Sequence, residues 1–166
     1  MQISIKEIFE IVGSKQEFAG ELELSWIARH GERLFPDPLA VRGEVVNRAG
    51  VVMLRYQISG KMPYRCDRCL MQSEKVIDEQ YEHCVVQSLE NQDLDDVYLT
   101  APDGVLQLDE IAGADLQLSL PQALLCKEDC KGLCPQCGAD LNTTICGCKP
   151  ETGDPRMAVL KNLLKG

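Results

Sequence analysis

Nine cysteines are the residues of this 166-residue chain whose type and spacing can do chemistry, and eight of them fall in close pairs. Cys134-Pro135-Gln136-Cys137-Gly138 reads as a tight turn that aims two thiolates at one ion, with Gly138 free to take the positive φ such a turn requires. Cys146-Gly147-Cys148 supplies a second pair close behind. Four sulfurs from two turns suit tetrahedral Zn²⁺, and an all-cysteine set closes the coordination sphere, which is the pattern of a structural rather than a catalytic ion. Cys66-Asp67-Arg68-Cys69 is a third pair, and Cys126 with Cys130 a wider fourth. Either Cys66 and Cys69 meet Cys126 and Cys130 in a second Cys₄ site that pins the tail to the body, or Cys126 and Cys130 join Cys134 and Cys137. One or two Zn²⁺ ions are expected. Cys84 is left over and reads as a small buried hydrophobe.

Other thiol chemistries fit less well. Nine cysteines in 166 fall below the roughly 8–10% of a disulfide scaffold, and the number is odd. A redox C-x-x-C sits at a helix N-terminus in a βαβ unit, whereas Cys66 and Cys69 lie between two stretches of strand-like alternation. His30-Gly31-Glu32 imitates half of the zinc-deaminase signature, but Pro135 lies inside its cysteine pair rather than before it. His83 alternates with Tyr81 and Val85 as an ordinary strand residue does.

Charge narrows the partners. The net charge is −9, distributed as +1 over residues 1–70, −11 over 71–120 and +1 over 121–166. The acidic middle repels phosphate backbones and suits a basic protein, unless it is simply a solvated face. Cations cluster instead around the cysteines: Arg65 and Arg68 flank one pair, and Lys127 and Lys131 lie in the tail. Held rigidly by a metal turn, these four are candidates for RNA contact, or else are surface charges of no special role. The longest apolar run, Ala49–Leu54, is far too short to span a membrane, and Met1–Glu7 lacks the character of a secretory leader, so a cytoplasmic location is expected.

These groups need a scaffold. Ile5, Ile8, Phe9 and Val12 mark one face of a short helix, and Phe18, Leu22, Leu24 and Trp26 alternate as a half-buried strand. Two further strands meet at a predicted four-residue turn, Asn47–Gly50. Met62, Tyr64 and Cys66 carry the alternation onward, with Pro63 marking an edge, and Ile77, Tyr81, His83 and Val85 resume it. Ser88–Asp96 reads as an acidic loop, and Asp109 as the cap of a helix that Pro121 ends. Asp154-Pro155 opens a closing helix with Met157, Leu160, Leu163 and Leu164 on one face. The expected fold is α+β: a meandering antiparallel sheet with peripheral helices over residues 1–120, then a cysteine-rich, zinc-stapled tail over 121–166. So few large apolar residues lie between Cys126 and Cys148 that metal must replace a core there.

The run Cys66-Asp67-Arg68-Cys69-Leu70, the stretch CKEDCKGLCPQCGADLN from 126 to 142, Cys146-Gly147-Cys148 and DPRMAVLKNLL from 154 to 164 together resemble a bacterial member of the YceD family, the large ribosomal RNA subunit accumulation proteins. The resemblance spans essentially the whole chain. It implies a non-catalytic ribosome biogenesis factor supporting synthesis, processing or stability of large-subunit (23S) ribosomal RNA, with that RNA or a pre-ribosomal particle as partner. Genes of such proteins commonly neighbour one for a small basic ribosomal protein, which makes an acidic chaperone or adaptor for such a protein the alternative role.

Overall fold

The computed structural model describes residues 1–89 and 98–148, so the closing helix expected at 154–164 and most of the acidic loop lie outside the described residues. A short strand, β1 (Gln2–Ser4), leads into a short helix, α1 (Lys6–Glu10). Of its expected apolar face Ile5 and Ile8 are buried, while Ile11 and Val12 are exposed, because the helix ends at Glu10, short of Val12 where the apolar spacing runs. Gly13, at φ +86°, turns the chain and donates its N–H to the Asn47 carbonyl at 2.8 Å. Asn47 is the one buried polar residue among those described, and both ends of its amide are bonded. Its amide donates to the Ile8 carbonyl at 2.7 Å, and its Oδ1 accepts from Gly50 at 3.0 Å, so one side chain fixes both helix and hairpin turn.

After β2 (Lys15–Leu22) comes a small hairpin, β3 (Ala28–Arg29) and β4 (Glu32–Arg33). The body is then built by β5 (Leu39–Arg48), β6 (Val51–Arg65), β7 (Gln72–Val86) and a short β8 (Tyr98–Thr100). β2, β5, β6, β7 and β8 form one curled sheet in that order. Leu24 is buried beyond the end of β2, whereas Trp26, expected on that strand's apolar side, is exposed. Arg48 pairs with Val51, so the predicted four-residue turn is a two-residue one. Ala49 and Gly50 both take positive φ, as the twist of a tight hairpin demands. β5 accompanies β6 only as far as Ser59, so Pro63 falls where the missing N–H breaks no ladder on that side.

β8 departs from expectation: it runs parallel to β7, pairing Cys84 with Tyr98, so the sheet is not purely antiparallel. Alternation marks a strand but carries no information on its direction. β9 (Val105–Gln107) pairs with β1, and α2 (Leu108–Ser119) follows directly. Asp109 does not cap α2; it sits in the first turn, where the helix dipole favours an acid, and binds the N-terminal ammonium of Met1. Leu108, Ala112 and Leu116 of α2 join Val41, Val45, Leu54, Ile58, Ile77 and Val85 of the sheet in one core. Each large side chain so buried contributes about 1.5–3 kcal/mol. Asp115 adds a polar clamp, accepting from the Tyr56 hydroxyl and lying 2.7 Å from His83 Nε2. The fold is thus mixed α+β with few helices, and eight of its cysteines gather in two groups.

Candidate metal centre

β6 and β7 are joined by the first cysteine turn. Leu70 donates its N–H to the Cys66 carbonyl and Cys66 donates to the Met71 carbonyl, both at 2.9 Å, so residues 66–71 close a knuckle at the hairpin tip. A strap formed by residues 121–130 lies across it. Asp67 organises the crossing: its N–H donates to the Leu124 carbonyl and its carboxylate accepts the Leu124 N–H, each at 2.8 Å. Arg29 of β3 reaches the same carboxylate at 3.0 Å and donates to the Pro121 and Gln122 carbonyls. Tyr64 donates to the Leu125 carbonyl at 2.9 Å, and Arg68 to that of Cys130 at 2.8 Å. Five side chains and backbone groups therefore hold Cys126 and Cys130 over Cys66 and Cys69.

The sulfurs follow. Cys66 Sγ lies 3.8 Å from that of Cys130, Cys69 Sγ 3.6 Å from that of Cys126, and all four lie within 4.8 Å of one another. Cys134, Cys137, Cys146 and Cys148 form a second group of the same span. Of the two arrangements compatible with the sequence, the structure assembles the one that joins Cys66 and Cys69 to Cys126 and Cys130. Cys84, half-buried on β7, belongs to neither group.

The second group repeats the local geometry of the first. Gly138 donates to the Cys134 carbonyl and Cys134 to the Ala139 carbonyl, both at 2.8 Å, which is the pattern of Leu70 and Met71 on Cys66. Cys146 Sγ lies 3.4 Å from Cys134 and 3.5 Å from Cys137. The two groups are tied together. Leu133 donates to the Arg68 carbonyl at 3.0 Å; Asn142 accepts the Lys131 N–H at 2.9 Å and directs its amide at Cys130 Sγ, 3.5 Å away.

Both groups fit a tetrahedral thiophilic cation. A Zn–S bond of about 2.3 Å implies sulfur–sulfur edges of about 3.8 Å, close to the separations found. Electrostatics supplies a second reason. Burial opposes ionisation of Cys66, yet the backbone N–H groups of Cys69, Cys126 and Arg68 outweigh it and lower that thiol to about 6. At Cys134 the N–H groups of Cys137 and Gln136 do the same, again to about 6. Burial and the neighbouring sulfurs push Cys126 up to about 12, and the sulfurs of Cys146 and Cys137 push Cys148 equally far. Four thiolates at this spacing repel one another unless a divalent cation sits among them. Four sulfurs also leave no open coordination position, the condition of a structural ion.

The candidate RNA-contacting cations are placed differently from one another. Arg68 is committed to the Cys130 carbonyl, Arg65 pairs with Glu32 at 2.7 Å, and Lys127 lies 3.8 Å from Asp129. Lys131 is exposed. Among the described acids of residues 71–120, Glu74 pairs with Lys61, Glu82 with Arg55, and Asp115 bonds Tyr56 and His83. Sequence reasoning missed Asp67, Arg29 and Asn142, the residues that join strap, knuckle and second group. The available signal was an Asp inside C-x-x-C and an Asn two residues after Asp140, both types that bond nearby backbone N–H groups.

No helix among the described residues is long and apolar enough to cross a membrane. Residues 54–164 match the family model described as "Large ribosomal RNA subunit accumulation protein YceD". The chain is also similar to the "Uncharacterized protein YlbN" of Bacillus subtilis (strain 168), with 25% identity over 168 residues, covering 99% of this chain and 97% of that protein. No solved structure matches it.

Proposed function

Since the chain belongs to the YceD family of large ribosomal RNA subunit accumulation proteins, a ribosome-biogenesis role follows, and we propose that it acts there as a non-catalytic adaptor that supports 23S ribosomal RNA by binding a protein of the pre-ribosomal particle. Two structural Zn²⁺ ions, one held by Cys66, Cys69, Cys126 and Cys130 and one by Cys134, Cys137, Cys146 and Cys148, give the adaptor its shape. Zinc supplies folding free energy to a tail that has little apolar core, and the described residues 121–148 are thereby held as a rigid extension of the sheet. The observation that carries this reading is the double Cys₄ arrangement cross-tied through Arg68 and Asn142. Such construction fixes a surface and activates nothing.

The engagement of Arg65, Arg68 and Lys127 within the chain favours a protein over RNA as the direct partner. Phosphate binding draws on uncompensated cations, whereas Arg65 beside Glu32 and Lys127 near Asp129 are partly compensated, and one Arg68 N–H is already taken by the Cys130 carbonyl. Direct RNA contact through Lys131 and its neighbours is the competing reading. A depletion strain complemented by variants tests the proposal. Wild type and Arg65→Ala/Lys131→Ala are expected to restore large-subunit rRNA, and Cys66→Ser/Cys134→Ser to fail. Full loss with the cation variant would overturn the protein-mediated reading; unchanged rRNA on depletion would overturn the role.

A further inference from the structure

β2 is an end strand of the sheet, and among the described residues no other strand pairs with its outer edge. Its register against β5 is unbroken from Lys15 opposite Val46 to Leu22 opposite Leu39, and it contains no proline. Neither a bulge nor a missing N–H therefore blunts that edge. Its middle is also low. Ala19 and Gly20 are small, and the Phe18 ring is folded inward over β5, since a Cβ at Gly43 would lie 2.6 Å from Phe18 Cζ. What guards the edge is charge: Lys15, Glu17 and Glu21 alternate with the core-facing Leu22 set and so lie on the open face of the sheet. A guard made of charge rejects strands of the wrong pattern and admits one of the right pattern.

Two charges beside this edge are unanswered. Lys15 holds Glu17 and Glu44 at 2.7 Å each, whereas Glu21 pairs with no cation among the described residues. Arg42 meets only the amide oxygen of Gln57, at 3.0 and 2.7 Å. It stands directly behind Ala19 in the ladder, on an open recess of about 860 Å³ that Glu17 and Ala19 border at the strand edge. A basic segment laid along β2 would answer Glu21 and repel Arg42, and an acidic segment the reverse. A second copy of this chain answers both. Continuing the sheet across a two-fold axis perpendicular to it pairs residues of like face, so the axis passes through a residue. Centring on Glu17 or Ala19 sets glutamate opposite glutamate, and centring on Gln16 or Gly20 shortens the pairing. Centring on Phe18 pairs the strand from Lys15 to Glu21. Lys15 then faces the partner's Glu21, Ala19 faces the partner's Glu17, and the two Phe18 side chains adjoin on the other face. Across the small Ala19 the partner's Glu17 has a clear path to Arg42, about 10 Å away backbone to backbone, a span that a glutamate and an arginine close.

We propose that the β2 edge is the seam of a homodimer: two copies of this chain join antiparallel about Phe18, with Lys15 paired to the partner's Glu21 and Arg42 to the partner's Glu17. Backbone hydrogen bonds supply the affinity of such a seam, and the charges fix its register. One strand per copy makes a smaller contact than a standard interface, so the dimer is weak and concentration-dependent. The inference goes beyond the adaptor reading and does not rest on it; either can fail alone.

Sedimentation of the full-length, reduced protein over a concentration series, beside Glu21→Lys and Lys15→Glu, tests the seam. Wild type is expected to pass from monomer to dimer. Each variant sets like charges opposite one another at both ends of the seam, so dimerisation should weaken at least about tenfold. Mixed in equal amounts, the two variants face each other with opposite charges at both ends, and the mixture is expected to recover most of the wild-type affinity. Damage to the fold of either variant would give no such recovery. A zero-length carbodiimide should also join Lys15 to Glu21 in the wild type; the two lie about 20 Å apart along one strand, so that crosslink forms only between copies. A wild type that stays monomeric up to about 0.5 mM would overturn the proposal. So would dimerisation that both variants leave undiminished, a mixture that associates no better than its components, or a dimer crosslinked only at other residues.

Discussion

Replacing Asp67 tests how the strap is held on the knuckle. Its carboxylate accepts the Leu124 N–H at 2.8 Å and an Arg29 N–H at 3.0 Å, and the side chain is 21% exposed. Hydrogen bonds to a charged group contribute roughly 1.5–3 kcal/mol each when buried, and exposed ion pairs about 0–1 kcal/mol. Partial exposure trims the Arg29 contact, and Arg29 retains the Pro121 and Gln122 carbonyls in any variant. Asp67→Ala should therefore cost about 2–3 kcal/mol. Asp67→Asn keeps an acceptor for Leu124 and forfeits the charge, so about 1 kcal/mol is expected. Urea unfolding of the zinc-saturated protein gives both numbers, and hydrogen exchange at the Leu124 amide localises them. Two zinc ions should remain bound throughout, since no ligand is altered. The reasoning is refuted if Asp67→Ala lies within about 0.5 kcal/mol of wild type with Leu124 still protected.

Three further outcomes are expected. Cys137 and Cys148 are exposed while Cys66 and Cys130 are buried, so a thiol alkylator or chelator should strip the second group first; simultaneous loss of both ions would contradict this order. Asn142→Ala removes the acceptor of the Lys131 N–H and the amide at Cys130 Sγ, and should cost about 1 kcal/mol and speed exchange at Lys131; an unchanged exchange rate counts against the cross-tie. A methyl at Gly43 would overlap the Arg55 carbonyl oxygen and the Phe18 ring, so Gly43→Ala should destabilise the sheet by about 1–3 kcal/mol in thermal or denaturant melts, and a neutral result would show that β5 can shift away from β6 as well as from the Phe18 ring.

The parts that the sequence made legible are those written in local patterns. Period-two alternation located β5, β6 and β7, and Pro63 marked the stretch that β5 does not reach. Positive φ at Ala49 required only that the turn be two residues long, but Asn47 and Arg48 looked equally turn-like, and their pairing in the ladder is a property of the partner strand. Trp26 continued an alternation that the backbone had already abandoned at Leu22, because a repeat of side chains does not record where pairing stops. Cysteine spacing identified the ligand types at once. It did not identify which pairs meet, since Cys66 and Cys130 are brought together across 64 residues by Asp67, Arg29 and Tyr64, whose partners in the strap the spacing of the cysteines does not encode. Similarly, Arg68 looked like an available cation until its carbonyl partner was in view.

Native mass spectrometry of the full chain, purified under reducing conditions and sprayed before and after chelation, tests the central claim most directly. Two zinc-stapled knuckles predict a mass increment of two Zn²⁺ per chain, falling to one in Cys66→Ser or in Cys134→Ser and to none in the double variant. A wild-type chain that retains the protease resistance of residues 121–148 while carrying no zinc, or only one ion, would contradict it.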